Sequence, residues 1–335
     1  MKSPAFAIAA DPALFIARHA LTWSVEEHLQ GRSPECVAVD PFNPTRLYCG
    51  TWGNGLWRSD DAGRTWDRVG PGVAYAEITA VAVSPTERDV VYAGTEPSAV
   101  FRSDDGGNTW RELPGLRELP SASSWSFPPR PDTHHVRWIE TDLAAAGRVF
   151  VAIEAGALVR TLDAGRTWLD RVRSGPIDTH TAATHRLAPG RVYASAGDGY
   201  FESADAGATW ARKIEGLRQR YLVGVAVDPA DPETVVVSAA SGPYVAYSPR
   251  RAEAHIYRRT AGRGFDVVAE GLPAADGTVA SRLATTPAEP GVICAANNHG
   301  LFRTADAGRT WKGLDIPWPA HAFTRGVDAL VCLPD

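Results

Sequence analysis

Histidines next to carboxylates are the residue types from which this chain would build a reactive site, and they occur in two matched segments. Asp132-Thr133-His134 and Asp178-Thr179-His180 stand one repeat length apart, with His135 beside the first. An imidazole suits zinc, iron or manganese, and a neighbouring acid fixes its tautomer. With Glu154, the pair His134 and His180 is a candidate ligand set for a divalent ion, with zinc, manganese, iron and calcium all open. Such an ion would activate water for hydrolysis, or stabilise an enolate or oxyanion in a lyase step. A second reading needs no metal: Glu96 with Glu154, or Glu154 with Asp198, would be the acid and base of a glycoside hydrolase. In a third, each Asp-Thr-His is a turn whose Asp caps backbone N–H groups while His packs on a tryptophan. No His-x-Glu-x-x-His spacing decides between them.

Other side chains gather around these. Arg137 would orient an anionic substrate or pair with Glu140 or Glu154, and Arg282 and Arg325 would add to an anion-binding set. Trp125 and Phe127 lie in a proline-rich insertion and read as an aromatic lid over the channel or as anchors of that loop to blade 3, and Trp125 and Arg130 of the same insertion are candidate substrate-binding residues. Tyr221, Asp198, Arg282 and His299 complete the candidate substrate-binding residues, with His19, Tyr244 and His321 nearby. The aromatic content of this rim suits a sugar ring or a small aromatic ligand.

What positions them is a repeat. Ser59-Asp60-Asp61-Ala62-Gly63-Arg64-Thr65-Trp66 recurs at Ser103 to Trp110, Thr161 to Trp168, Ser203 to Trp210 and Thr304 to Trp311, always [Ser/Thr]-x-Asp-x-Gly-x-Thr-Trp. A decayed copy runs from Arg258 to Phe265, with Thr260 in place of the acid and the side-chain lock of its turn expected to be lost. The spacing is that of four-stranded propeller blades. Before each box comes an apolar strand ending in Asp-Pro or Ser-Pro, such as Val37-Ala38-Val39-Asp40-Pro41, and then a second strand. Six boxes give six blades. Residues 327–335 match only an innermost strand and residues 5–30 supply three more, so a seventh blade is expected to close with strands from both termini. The reading is all-β: one seven-bladed β-propeller over 1–335, with blades near 34–69, 77–113, 134–172, 180–214, 221–270, 280–315, and 327–335 plus 5–30.

The pattern resembles the Asp-box, or BNR, repeat family of propellers, which includes sialidases, sortilin-type receptors, xyloglucan-cleaving hydrolases and photosystem II assembly factors. The resemblance spans nearly the whole chain and implies the propeller fold. Its motif carries little about chemistry, because function sits on sites grafted onto folds. The hydrolase branch implies an enzyme; the receptor and assembly branches imply a non-catalytic module with a protein partner. No Arg-Ile-Pro segment is present and seven blades are expected, both departures from the sialidases.

Strand order fixes the faces. The boxes are turns between third and fourth strands, so they share a face with the short Asp-Pro turns. The irregular lengths, Glu112 to Thr133 and Ser241 to His255, fall on the other face. Long loops gathered on one side of a rigid scaffold place the site there, on the side of blades 2 to 4.

Composition excludes several classes. The 335 residues carry 34 Lys+Arg against 39 Asp+Glu, a net charge of -5, so no basic footprint for nucleic acid exists. Only Lys2, Lys213 and Lys312 are lysines, and the arginines are read as background composition. No stretch reaches the ~18 apolar residues that span a bilayer, and the start MKSPAFAIAADPALF has an early acid and prolines, so a cytoplasmic protein with no membrane contact is expected. Cys36, Cys49, Cys294 and Cys332 lack Cys-x-x-Cys spacing and read as buried reduced thiols. Nucleophile-elbow, phosphate-loop, haem and nicotinamide motifs are absent.

Overall fold

Alternating Val-Ala-Val inner strands and box-terminated outer strands assemble into seven antiparallel sheets in a computed structural model that describes residues 4–324 and 326–334. Six sheets have four strands. The blade 3 sheet has three, Val136–Thr141, Val149–Ile153 and Ala157–Thr161, and its outer edge is reduced to an isolated bridge between Arg160 and Leu169. The seventh is closed by both termini: Ala329–Leu333 is its inner strand, paired with Ala5–Ala10, which leads outward to Ala13–His19 and Trp23–His28. Closure packs blade 7 against blades 6 and 1, so no blade face is left uncovered around the ring.

Among the described residues the core is a circle of seven apolar clusters, one at each blade junction, with an eighth around Val223, Ala240 and Ala246 at the blade 5 insertion. Between blades 3 and 4, for example, Phe150, Ala152 and Leu158 meet Val192, Ala194 and Phe201, with Trp210 packed against them. The box tryptophans fill these junctions: Trp66 between blades 7 and 1, Trp110 between 1 and 2, and Trp311 between 5 and 6. In the blade 5 copy Phe265 takes that place, edge-on to Tyr200 at 5.1 Å.

Each intact box is a self-bonded turn. In the first, Asp61 Oδ1 accepts the N–H groups of Arg64 and Thr65, its Oδ2 accepts the Thr65 hydroxyl at 2.6 Å, and Ser59 Oγ accepts the Gly63 N–H. Gly63 stands at φ 89°, and Ala62 before it is also left-handed at φ 62°, which the turn holds in place. These bonds favour the charged form and hold Asp105, Asp163 and Asp205 at about 2. The copy at Thr260 keeps a backbone bond from Arg263 N–H to the Thr260 carbonyl in place of the carboxylate lock.

The insertion after blade 2 is ordered by two 3-10 turns, Pro114–Leu116 and Pro120–Ser124, with Leu116, Leu119 and Trp125 buried between blades 2 and 3. The insertion of blade 5 contains the short helix Pro243–Tyr247. The cysteines are unpaired. Among the described residues no helix is long and apolar enough to cross a membrane.

Candidate functional site

The inner strands of five blades begin with a register shift, at Pro34/Cys36, Ile78/Ala80, Val136/Trp138, Thr179/Thr181 and Leu222/Gly224. Each shift leaves one residue outside the ladder: Glu35, Thr79, Arg137, His180 and Val223. A bulge re-aims its side chain, and Glu35, Thr79 and Arg137 are thereby turned into the channel mouth opposite the boxes, while His180 is buried behind Glu154 and Val223 packs in an apolar cluster. Asp328 stands in the matching place on the closing strand, one residue before the first paired residue Ala329.

The mouth holds a cavity of about 570 Å³. Glu35, Thr79, Arg137, Glu154, Arg282 and Asp328 line its depth, and Trp52, Phe127, Arg130 and Tyr247 its rim. Its carboxyls are held in opposite environments. Burial, followed by the charge of Asp328, pushes Glu35 up to about 7, against the pull of Arg137, Arg282 and Arg130. Burial also raises Asp328. Burial opposes the charge on Glu154 too, but the hydrogen bond from His135 and the nearby Arg137 and His180 outweigh it and hold the group at about 2.

The arginines are equally unequal. Arg137 Nε lies 3.2 Å from Glu154 Oε2. Arg282 donates Nε to the Val327 carbonyl at 3.0 Å and lies 6.0 Å from the Tyr247 ring, but no described carboxylate is within ion-pair distance of it. Burial and then the like charge of Arg137 lower its pKa. A half-buried guanidinium with no ion-pair partner among the described residues favours an incoming anion.

A chain of acidic and basic side chains runs along one wall. Arg130, held between Trp52 at 4.8 Å and Phe127 at 4.9 Å, forms a two-toothed pair with Glu96 at 3.0 and 2.6 Å. His135 bridges from Glu96, 3.4 Å from its Nδ1, to Glu154, 2.8 Å from its Nε2. Beyond Glu154 stands His180, fully buried. Its Nδ1 lies 2.5 Å from the Leu222 carbonyl, which only accepts, so Nδ1 carries the proton. Burial keeps the ring neutral, and Nε2 is left as an acceptor facing the Tyr221 hydroxyl at 3.2 Å, Asp178 at 3.6 Å and Glu154 at 4.0 Å.

The expected pairing of His134 with His180 does not form. Register makes Arg137, not His134, the counterpart of His180, because the bulge and the preceding insertion displace the first Asp-Thr-His segment along its strand. His134 packs edge-on against Trp125, ring centres 5.6 Å apart, and its buried Nδ1 has no described partner. Trp125 is buried at 5% exposure and bonded to Ser121, so it anchors the insertion, while Phe127 reaches the cavity and meets His135 edge-on at 4.9 Å. Asp198 lies beside Asp178 outside the cavity wall, raised by burial, with Oδ1 unpartnered among the described residues. Exposed His299 reaches back to the Gly277 carbonyl at 3.3 Å, away from the mouth. His19 meets Trp23 edge-on, His321 pairs with Glu27, and Tyr244 is exposed. Arg325 lies outside the described residues. Glu96 and Glu154 do hold equivalent positions, but the Arg130 clamp engages both oxygens of Glu96. Sequence reading did not single out Glu35, Asp328, Tyr247 or Trp52; the one available signal was a polar residue just before each apolar inner strand.

A divalent ion would find donors at Glu154, Asp178 and His180, whose ligand atoms lie within 4.8 Å of one another. The set fits: Asp178 is held by the Ala155 N–H at 2.9 Å, and glycine at 197 makes room, since a Cβ there would stand 2.0 Å from Asp178 Oδ2. The neutral His180 ring, oriented by a backbone carbonyl, has the second-shell arrangement of a metal ligand.

Similar architecture recurs in solved structures. An ancestral GH74 enzyme matches at 17% identity and TM-score 0.66 over 86% of this chain and 39% of its own, and the GH74 xyloglucanase from Xanthomonas campestris at 17% and 0.65 over 99% and 52%. The chain therefore spans about half or less of either enzyme. YCF48 bound to D1 peptide matches at 17% and 0.58 over 84% of this chain and 82% of its own. These likenesses show the fold. No family model matches, and no curated protein does.

Proposed function

We propose that the channel mouth is the active site of a hydrolase acting on a small polar substrate that carries an anionic group. The observation that carries this reading is one cavity lined by carboxyls in opposite environments, Glu35 with Asp328 on one side and the His135- and Arg137-bound Glu154 on the other. Such a split assigns acid and base. Protonated Glu35 gives its proton to the leaving oxygen, and ionised Glu154 takes one from the attacking water. Arg137 and Arg282 hold the anionic group, and Tyr247 and Phe127 shield it. In a metal-loaded form Glu154, Asp178 and His180 would instead hold a divalent ion, which would supply the water activation that Glu154 supplies without it, or Lewis-acid polarisation. His180 and Asp178 then serve as ligands, and His135 fixes the Glu154 carboxylate. The resemblance of the repeats to Asp-box hydrolases supports this reading.

The test is hydrolysis of a panel of anionic chromogenic glycosides and esters by the metal-loaded and chelator-washed protein, beside Glu35→Gln and Glu154→Gln. Turnover lost in both variants with folding retained is expected. Undiminished turnover in either variant overturns the assignment. A second reading, a non-catalytic propeller that seats the anionic end of a peptide, is favoured by the unmatched Arg282; it would show as peptide binding lost in Arg282→Met without any turnover in the parent.

A further inference from the structure

The channel has a second mouth, on the box face, and it is chemically the reverse of the first. A cavity of about 490 Å³ opens there, walled by Val39, Trp138, Ala183, Val225, Leu283 and Val331 from six blades. Between the two mouths lies a waist of about 70 Å³ that includes Arg282, Leu283 and Leu330. In the apolar wall of the lower cavity stands one acid, Glu140. Its Oε1 accepts the Thr184 N–H at 2.8 Å and the Thr184 hydroxyl at 3.0 Å, while Oε2 has only a long contact of 3.4 Å from the Trp138 indole.

Several other acids withdrawn from solvent in this chain are matched to bases. Asp142 has Arg148, Glu154 has Arg137, Glu96 has Arg130, and Glu202 has Arg191, Lys213 and Arg259. Glu140 has no basic side chain within ion-pair distance among the described residues. The groups that face it do not fill that need. His185 spends Nε2 on the Asp228 carbonyl and Nδ1 on the Leu187 N–H, Arg186 turns to solvent, and Asp142 adds negative charge. Burial pushes Glu140 up to about 7, against the Thr184 bonds.

We propose that this box-face mouth is a binding site for an amphipathic ammonium ion, a primary amine on a short alkyl or aryl tail, with the charge on Glu140 and the tail against Trp138, Val225 and Leu283. A neutral apolar molecule would leave the carboxylate unpaired, and an anion would be repelled by it. The ammonium supplies the missing partner and its tail displaces water from the apolar walls. This site is separate from the channel mouth of the hydrolase reading and stands without it.

The probe is n-hexylammonium, titrated calorimetrically into the full chain, with hexanol and hexanoate as tail-matched controls. Hexylammonium is expected to bind at least tenfold tighter than either control, with affinity rising about fourfold per added methylene until the cavity is full. Its affinity should rise between pH 6 and 8 as Glu140 ionises. Glu140→Gln, which keeps an acceptor for Thr184, should lose at least tenfold for hexylammonium and nothing for hexanol. Ala183→Phe, which fills the cavity, should abolish binding of both and keeps the proposal testable if Glu140→Gln fails to fold. Equal binding of hexylammonium and hexanol, or an unchanged affinity in Glu140→Gln, overturns it.

Discussion

Replacing Glu35 by glutamine tests the site through stability. Glu35 is held near 7 in the fold against an ordinary value of 4.5, so between those values the folded chain binds more protons than the unfolded one. Stability from this group is therefore complete below about 4.5 and falls as pH rises through 7. The separation of about 2.5 corresponds to ~3 kcal/mol lost by pH 8, at 1.36 kcal/mol for each tenfold. Asp328 titrates with Glu35, so the loss belongs to the pair and the share removed by one substitution is smaller, ~1–3 kcal/mol. Glutamine mimics the protonated acid and escapes the loss. The assay is urea unfolding of parent and Glu35→Gln at a series of pH values from 4.5 to 8. The two should be nearly equal at pH 4.5 and diverge in favour of the variant by pH 8. A difference that stays constant across the series would refute the buried-acid account, and with it the role of Glu35 as proton donor.

Other outcomes follow from the same geometry. Gly197→Ala should displace Asp178 and cut divalent-ion retention as severely as His180→Gln, while His134→Ala retains it; elemental analysis after equilibrium dialysis reads all three. Arg282→Met should weaken binding of a small anion at the upper mouth at least tenfold without lowering the unfolding midpoint, because the charge removed has no ion-pair partner among the described residues; a lower midpoint would show that Arg282 is structurally paired. Asp105, Asp163, Asp205 and Asp306, all near 2, stabilise the fold above their unfolded range of about 4 and lose that contribution as pH falls toward 2. Stability measured against pH should therefore peak between about 4 and 5, with Asp163→Asn flattening the acid limb and Glu35→Gln the neutral one.

The propeller was legible because its information is periodic. The boxes from Ser59 to Trp311 state the third and fourth strands, and the lone inner-strand pattern at 327–334 states how the ring closes. The site was legible only in part. Glu154, Arg137 and Arg282 are suggested by their positions in the repeat and all line the channel-mouth cavity, with His180 buried behind Glu154, whereas His134 matches His180 only through a shared tripeptide. A bulge inserts one residue without changing composition, so letter matching cannot see which residue it ejects from the ladder. Glu35 and Asp328 lie nearly 300 positions apart and each reads as an ordinary strand start. Their shared burial and mutual repulsion exist only once the ring is shut.

That last point concerns the closing strand. Glu35 belongs to blade 1 and Asp328 immediately precedes the C-terminal strand of blade 7, which is set beside blade 1 by its pairing with Ala5–Ala10. A molecule whose fastener has slipped would keep most of its sheets and yet lack the acid pair. Under mild denaturant, activity should therefore fade before the circular-dichroism signal of the strands does, making the upper mouth a gauge of whether the circle is fastened.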